Sequence, residues 1–173
     1  MMRVSALAAA GGYRDRLIAG EEPELCVRLR TAGWHIWRID QEMTFHDAAI
    51  TKFRQWWLRM VRSGHAFAQV SHLHGAPPEQ FWVWESRRAW VWGVLFPLAS
   101  VAAMLWFGWP AIVVLLIYPL QLLRRMARLP GSLRSRWTVA FFELLGRFPE
   151  SLGQMKFLRD RLIGSGGRII EYK

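Results

Sequence analysis

Three carboxylates, Glu21, Glu22 and Glu24, fall within four residues. Carboxylates this close raise one another's pKa, which suits a general base working near neutral pH. The same acids also suit the first turn of a helix, where the positive end of the dipole stabilises them without any chemistry. His46-Asp47 supplies one imidazole for a metal. A metal site needs several ligands, so the pair reads equally as a structural contact. Gln55-Trp56-Trp57-Leu58-Arg59, followed by Arg62, sets cations beside aromatic rings, a pattern that a membrane-facing amphipathic helix with snorkelling arginines also gives.

These groups need elements to position them. Gly20 to Trp34 predicts a helix: acids and Pro23 open it, Arg28 and Arg30 lie near its end, and Gly33 stops it. Trp34 to Asp40 alternates as a strand does, ending near Met43 to Asp47. Thr51 to about His72 predicts a long helix rich in Trp, Phe and Arg, and Pro77-Pro78 separates it from the helix that leads into the apolar run. Gly11-Gly12 marks a loop, with a short turn or helix from Tyr13 to Gly20.

The chain has 173 residues, 53% of them hydrophobic, with 11 Trp and a net charge of +10. The apolar fraction excludes a disordered chain. A single Cys excludes a disulfide scaffold and a thiolate zinc site. Residues 1–88 carry 12 Lys/Arg against 9 Asp/Glu, and residues 124–173 carry 11 against 4. The 35 residues from Ala89 to Leu123 carry no charge. As one helix this run would reach about 52 Å, beyond a hydrocarbon core of about 30 Å. Gly108-Trp109-Pro110 breaks it into Ala89–Phe107 and Trp109–Leu123, two apolar segments for a hairpin. The second is short for a span, so Arg124 and Arg125 must snorkel or the helix must extend. Pro97 and Pro119 kink both arms. Arg87-Arg88 before the hairpin and Arg124-Arg125 with Arg128 after it put both ends on the cytoplasmic side. A re-entrant hairpin and a buried soluble hairpin are the alternatives. Val4–Ala10 is too short for a signal-peptide core. Basic residues that flank an uncharged hairpin, rather than lining a groove, argue against a nucleic-acid partner.

After the hairpin, Trp137, Phe141, Leu144, Leu145 and Phe148 share a helix face that Pro149 ends. Leu152, Met155, Leu158 and Leu162 form a second stripe, stopped by Gly164 to Gly167. Both stretches read as basic amphipathic helices, lying on an anionic membrane surface or packed on the body of the protein. Arg168–Lys173 alternates weakly, as a short strand or an extended tail.

Gly11-Gly12-Tyr13, Gly20-Glu21-Glu22-Pro23-Glu24-Leu25, Arg28-Leu29-Arg30, Gly33-Trp34, His46-Asp47 and Gln55-Trp56-Trp57-Leu58-Arg59 occur in an order that resembles the C-terminal half of the catalytic domain of family-2 glycosyltransferases. These are membrane-linked inverting enzymes with a GT-A fold. The hairpin and Ile169-Ile170-Glu171-Tyr172-Lys173 fit the same resemblance, which covers nearly the whole chain. The family's Gly-Glu-Asp-x-Glu-Leu helix start supplies the catalytic base, so the resemblance implies Glu22 as base in the usual Asp place, with Glu21 as second choice. His46 matches a position that helps hold the metal on the nucleotide diphosphate, and Mg or Mn is expected for the complete enzyme. Gln55, Trp57, Arg59 and Arg62 are the implied substrate contacts. The spacing Gln-x-x-x-Arg departs from the Gln-x-x-Arg-Trp motif of processive members.

The family's nucleotide-binding half, with its Asp-x-Asp motif, has no counterpart here. The expected fold is therefore an α/β fragment, an incomplete GT-A domain that is mostly helical here, over residues 1–75. A linker and a transmembrane or re-entrant helical hairpin occupy 76–128, and amphipathic membrane-surface helices occupy 129–173. The expected function is the C-terminal part of a glycosyltransferase of the cell (inner) membrane. It would move a sugar from a nucleotide-sugar to a glycan or lipid acceptor, and be inactive without its missing half, which a separate N-terminal chain could supply. The rival is a non-enzymatic module that docks membrane lipid or a partner.

Overall fold

Helix α2, Glu21–Thr31, begins and ends as its sequence predicts. A computed structural model of the chain describes residues 2–37, 40 and 50–164. At the end of α2, Trp34 N–H donates to the Leu29 carbonyl (3.0 Å) and Gly33 N–H to that of Arg30 (2.9 Å), with Gly33 at φ +83°. This pair of bonds is the Schellman stop that a left-handed glycine permits. The short α1, Val4–Ala9, closes a small core in which Ala6 packs with Leu25 and Leu29 of α2, edged by Leu7, Ala10 and Trp34.

The strand expected from Trp34 does not form over the residues described there, 34–37. Trp34 turns into the small core, and Trp37 is 85% exposed. An alternating segment becomes a strand only with a partner to bond, and no strand exists among the described residues. Arg38, Ile39 and 41–49, His46 and Asp47 included, lie outside the described residues, as does the tail 165–173.

The body is helical. Helix α3 spans Phe53–His74, and α8 spans Arg147–Ile163. They lie backbone to backbone at two glycines. A Cβ on Gly153 would sit 2.7 Å from the His65 nitrogen and 2.9 Å from the Val61 carbonyl carbon. A Cβ on Gly64 would sit 2.5 Å from the Cα and carbonyl carbon of Glu150. Ordinary carbon contacts are about 3.5–4 Å, so only hydrogen fits at either notch. Beside them His65 is buried edge-on to Phe157 (centroids 5.4 Å), with no hydrogen-bond partner for either ring nitrogen among the described residues. Burial lowers its pKa to about 4, despite the opposing pull of Asp160, so it is neutral at neutral pH.

The apolar run forms two helical arms that part at Gly108 (φ +76°). The first, Val83–Phe107, is α4 (Val83–Trp90), a π turn (Val91–Leu95) and α5 (Phe96–Phe107). The second, Trp109–Met126, is a 3₁₀ stretch (Trp109–Leu116) and α6 (Ile117–Met126). Both are long and apolar enough to cross a membrane. At about 2.0 Å per 3₁₀ residue and 1.5 Å per α residue, the second arm reaches about 31 Å, close to a hydrocarbon core. The short arm is thus lengthened, both by the tighter, more drawn-out winding of its 3₁₀ stretch and by running on through Arg124 and Arg125.

The π turn has a cause in the sequence. Pro97 has no N–H and cannot continue the α ladder. Phe96 N–H bonds the Val91 carbonyl instead, five residues back. The Trp92 carbonyl is left without a partner on its own helix, since its α partner Phe96 is taken and its π partner is Pro97. The Tyr118 hydroxyl of the second arm donates to it at 2.8 Å. Tyr118 also packs edge-on to Phe96 (5.1 Å).

Pro149 does not end the first tail helix. Helix α7, Leu133–Leu145, stops before Gly146, and α8 starts at Arg147 with Pro149 in its first turn. Proline suits that turn, because the N–H it lacks would have no intrahelical partner there. Phe148 accordingly belongs to α8. The faces of α8 are reversed from a soluble pattern. Ser151, Gly153 and Gln154 are buried, while Leu152, Met155, Leu158 and Leu162 are exposed. Gln154 accepts from the Ser86 hydroxyl (2.7 Å) and donates to the Ser86 carbonyl (3.0 Å), fastening α8 to α4.

Candidate functional site

The start of α2 sorts its three acids by environment. Gly20, the residue before the helix, adopts φ +85°. A Cβ there would meet the Trp82 ring at 2.7 and 2.9 Å, so glycine is required both by conformation and by the approach of the indole. Trp82 is itself at φ +56°, a costly region for a bulky residue. Stacking on Phe81 (5.2 Å) and an edge contact with Phe67 (5.1 Å) hold it there.

Glu24 is fully buried. Its carboxylate meets Arg14 Nε (2.8 Å), Arg28 Nη2 (2.8 Å) and His74 Nε2 (2.9 Å). Burial pushes its pKa up, but hydrogen bonds from Arg28 and His74, with the charges of Arg28 and Arg14, outweigh that and hold it below the ordinary value. Arg28 also donates to the Gly12 carbonyl (2.7 Å) and to that of Ala10. Glu24 therefore knots the Gly11-Gly12 loop, α2 and the end of α3 together. Substrate cannot reach it.

Glu22 is exposed and Glu21 half-buried, and neither makes an ion pair among the described residues. Of the three acids, Glu22 is the one open to a substrate from solvent. It stands at the positive end of α2, close along the chain to the Gly20–Trp82 contact.

The other predicted contacts lie at the far end of α3. Gly20 packs near Val70, whereas Gln55 is 15 residues earlier, about 22 Å along the helix axis. The Gln55 side-chain oxygen accepts from the backbone N–H groups of Thr51 (3.1 Å) and Lys52 (3.0 Å), capping α3. Trp57 is half-buried against Phe53 (5.8 Å) and Trp56 (6.4 Å). Arg59 is exposed and Arg62 half-buried. Glu22 and the Gln55–Arg62 group are thus not gathered into one pocket by the described residues. His46 lies outside them.

No group of three His, Cys, Asp or Glu side chains among the described residues is placed to hold a metal. The one close His–Glu pair among the described residues, His74 with Glu24, is already occupied by two guanidinium groups and does not fit a cation. The spacing of Glu24 and Arg28, four residues apart on a helix, could have flagged their pairing. Nothing in the sequence signals Arg14 or His74 as their partners. Comparison with models of known families, with curated proteins and with solved structures finds no match to this chain.

Proposed function

We propose that this chain is the acceptor-side, membrane-anchored part of an inverting glycosyltransferase, with Glu22 as its base. The observation that carries the reading is the sorting of acids on α2: Glu24 is consumed by its three cations, and Glu22 stands open at the helix start. In the proposed step the Glu22 carboxylate takes the proton of an acceptor hydroxyl. The acceptor oxygen forms its bond to the anomeric carbon from the face opposite the nucleotide diphosphate, which leaves with the electron pair of the breaking bond. The described residues do not fit a metal, so the donor diphosphate and any Mg or Mn are assigned to residues outside them.

The membrane part of the reading is supported by exposure. Only 6% and 11% of the most apolar windows of the two arms are buried. Leu105, Trp106, Phe107 and Trp109 at the hairpin tip are more than two-thirds exposed. A hairpin serving as a soluble core would hide these side chains. With basic residues at both ends, the hairpin enters from the cytoplasmic face and returns to it.

A second reading, a non-enzymatic membrane module, is favoured by the same exposed hairpin, which needs no catalytic acid. One experiment separates the two. Membranes containing the full chain, co-produced with the product of its upstream DNA, are given labelled nucleotide-sugars, and transfer to lipid or glycan is counted. A positioned base contributes about 10²–10⁴ in rate. Glu22→Gln is expected to lose that factor with vesicle flotation unchanged. Transfer that survives the substitution overturns the assignment of Glu22.

A further inference from the structure

A cluster of arginines lies at the open end of the hairpin. A cleft of about 260 Å³ is lined by Arg88 from α4, Arg124 and Arg125 from α6, Arg128 just beyond α6, and Arg147 from α8. Glu143 of α7 is its one acidic lining residue, against five arginines. The two carboxylates nearest these arginines are already engaged: Glu143 pairs with Arg125, and Glu150 with Arg147 at 2.7 Å. Arg124 and Arg128 make no salt bridge among the described residues, and Arg88 feels the charges of Glu143 and Glu150 without a salt bridge to either. Trp92 and Gln121 line the wall one turn further into the two apolar arms.

We propose that this cleft binds a phosphate group carried by a lipid. Five guanidinium groups face two carboxylates, Glu143 and Glu150, so positive charge brought together from both arms is in excess and repels itself unless an anion lies among it. Arginine suits phosphate because its planar fork bonds two oxygens at once. The volume takes a phosphate with part of its glycerol, since a water occupies only about 30 Å³. The position decides between a lipid and a dissolved anion. Arg88 and Arg124 are the last charges before the uncharged run, at the level where headgroups meet acyl chains. Val91 and Leu95, one and two turns beyond Arg88, and Leu120 and Leu123, within a turn before Arg124, are exposed and offer surface to an acyl chain. The site is separate from Glu22 and needs no catalysis. It rests only on the membrane reading of the hairpin.

The test uses the full chain in a neutral detergent, with lipid adducts counted by native mass spectrometry. Phosphatidylglycerol is the probe, and a neutral diacylglycerol controls for acyl chains alone. Each cation at such a surface contributes about five-fold, so R124Q/R128Q is expected to lower phosphatidylglycerol occupancy about 30-fold. R30Q/R54Q removes the same charge elsewhere and is expected to leave it unchanged. Equal loss in both variants, or diacylglycerol binding as well as phosphatidylglycerol, overturns the site. Displacement of the lipid by equimolar inorganic phosphate overturns the lipid source. Flotation with phosphatidylcholine vesicles keeps the two readings apart. R124Q/R128Q is expected to float as the unsubstituted chain does. If neither chain floats, the membrane reading fails, whatever the adducts show.

Discussion

Tyr118→Phe removes one oxygen and nothing else, and it should loosen the hairpin measurably. The ring contacts with Phe96 (5.1 Å) and Trp92 (6.2 Å) survive the change. What is lost is the 2.8 Å bond to the Trp92 carbonyl. Interhelical hydrogen bonds in membranes average about 0.6 kcal/mol and reach about 1.7. Leaving a desolvated acceptor unpaired costs about 1–3 kcal/mol. The Trp92 carbonyl has no second partner on its own helix, because Pro97 lacks an N–H, so the upper part of the first range applies. The expected loss is about 1.5 kcal/mol, a little over ten-fold in the unfolding equilibrium. Reversible unfolding in mixed micelles, followed by tryptophan fluorescence, reads it. The decisive variant is Pro97→Ala, which supplies the missing N–H. In that background Tyr118→Phe should cost less than about 0.5 kcal/mol, because the helix can then satisfy its own carbonyl. An equal loss in both backgrounds would refute this account of the π turn. So would a Tyr118→Phe chain as stable as its parent.

Gly153→Ala must part α3 and α8 by more than roughly 0.8 Å, since that much only brings the 2.7 Å approach to the His65 backbone nitrogen up to ordinary contact at about 3.5 Å and the Val61 carbonyl oxygen lies closer still. Overpacking of about 1–3 kcal/mol or more should exceed the gain of about 1 kcal/mol in helix propensity, giving a lower melting temperature. G64A/G153A should cost less than the two single changes together, since one displacement relieves both. His65 binds its proton more readily unfolded, near pH 6.5, than folded, near 4. Stability should therefore be full above about pH 6.5 and fall by about 3 kcal/mol as pH drops toward 4, a slope that His65→Leu removes from the pH–stability profile. Glu24→Gln leaves Arg28 and His74 facing a neutral amide and should cost about 3 kcal/mol. Glu22→Gln, on an exposed position, should stay within about 0.5 kcal/mol in the same unfolding assay.

The hairpin was legible because charge is absent over a stretch with an unmistakable break, and both the missing residues and Gly108 are written in the chain itself. Helix α2 was legible for a similar reason: acids, proline, arginines and glycine each mark one of its ends. The joint between α7 and α8 was not, because Pro149 stops one helix and opens another with equal ease, and only packing chooses. The alternation of Trp34 to Asp40 reads the same whether or not a partner strand exists. Among the acids, composition grouped Glu21, Glu22 and Glu24, but their division depends on Arg14, ten residues away, and on His74, fifty away. An amphipathic pattern also cannot say which face is buried. On α8 it is the polar one, a choice made by the glycines of α3 and α8 rather than by the leucines.

That reversed helix has a consequence for how the chain is made. Synthesis runs from α1 to α8, so α3 and both arms of the hairpin leave the ribosome before their shared neighbour exists. Until α8 arrives, the notch at Gly64 stands empty and Ser86 lacks Gln154. Helix α8 is a keystone: a chain halted at Gly146 would carry its apolar hairpin complete and its body unassembled.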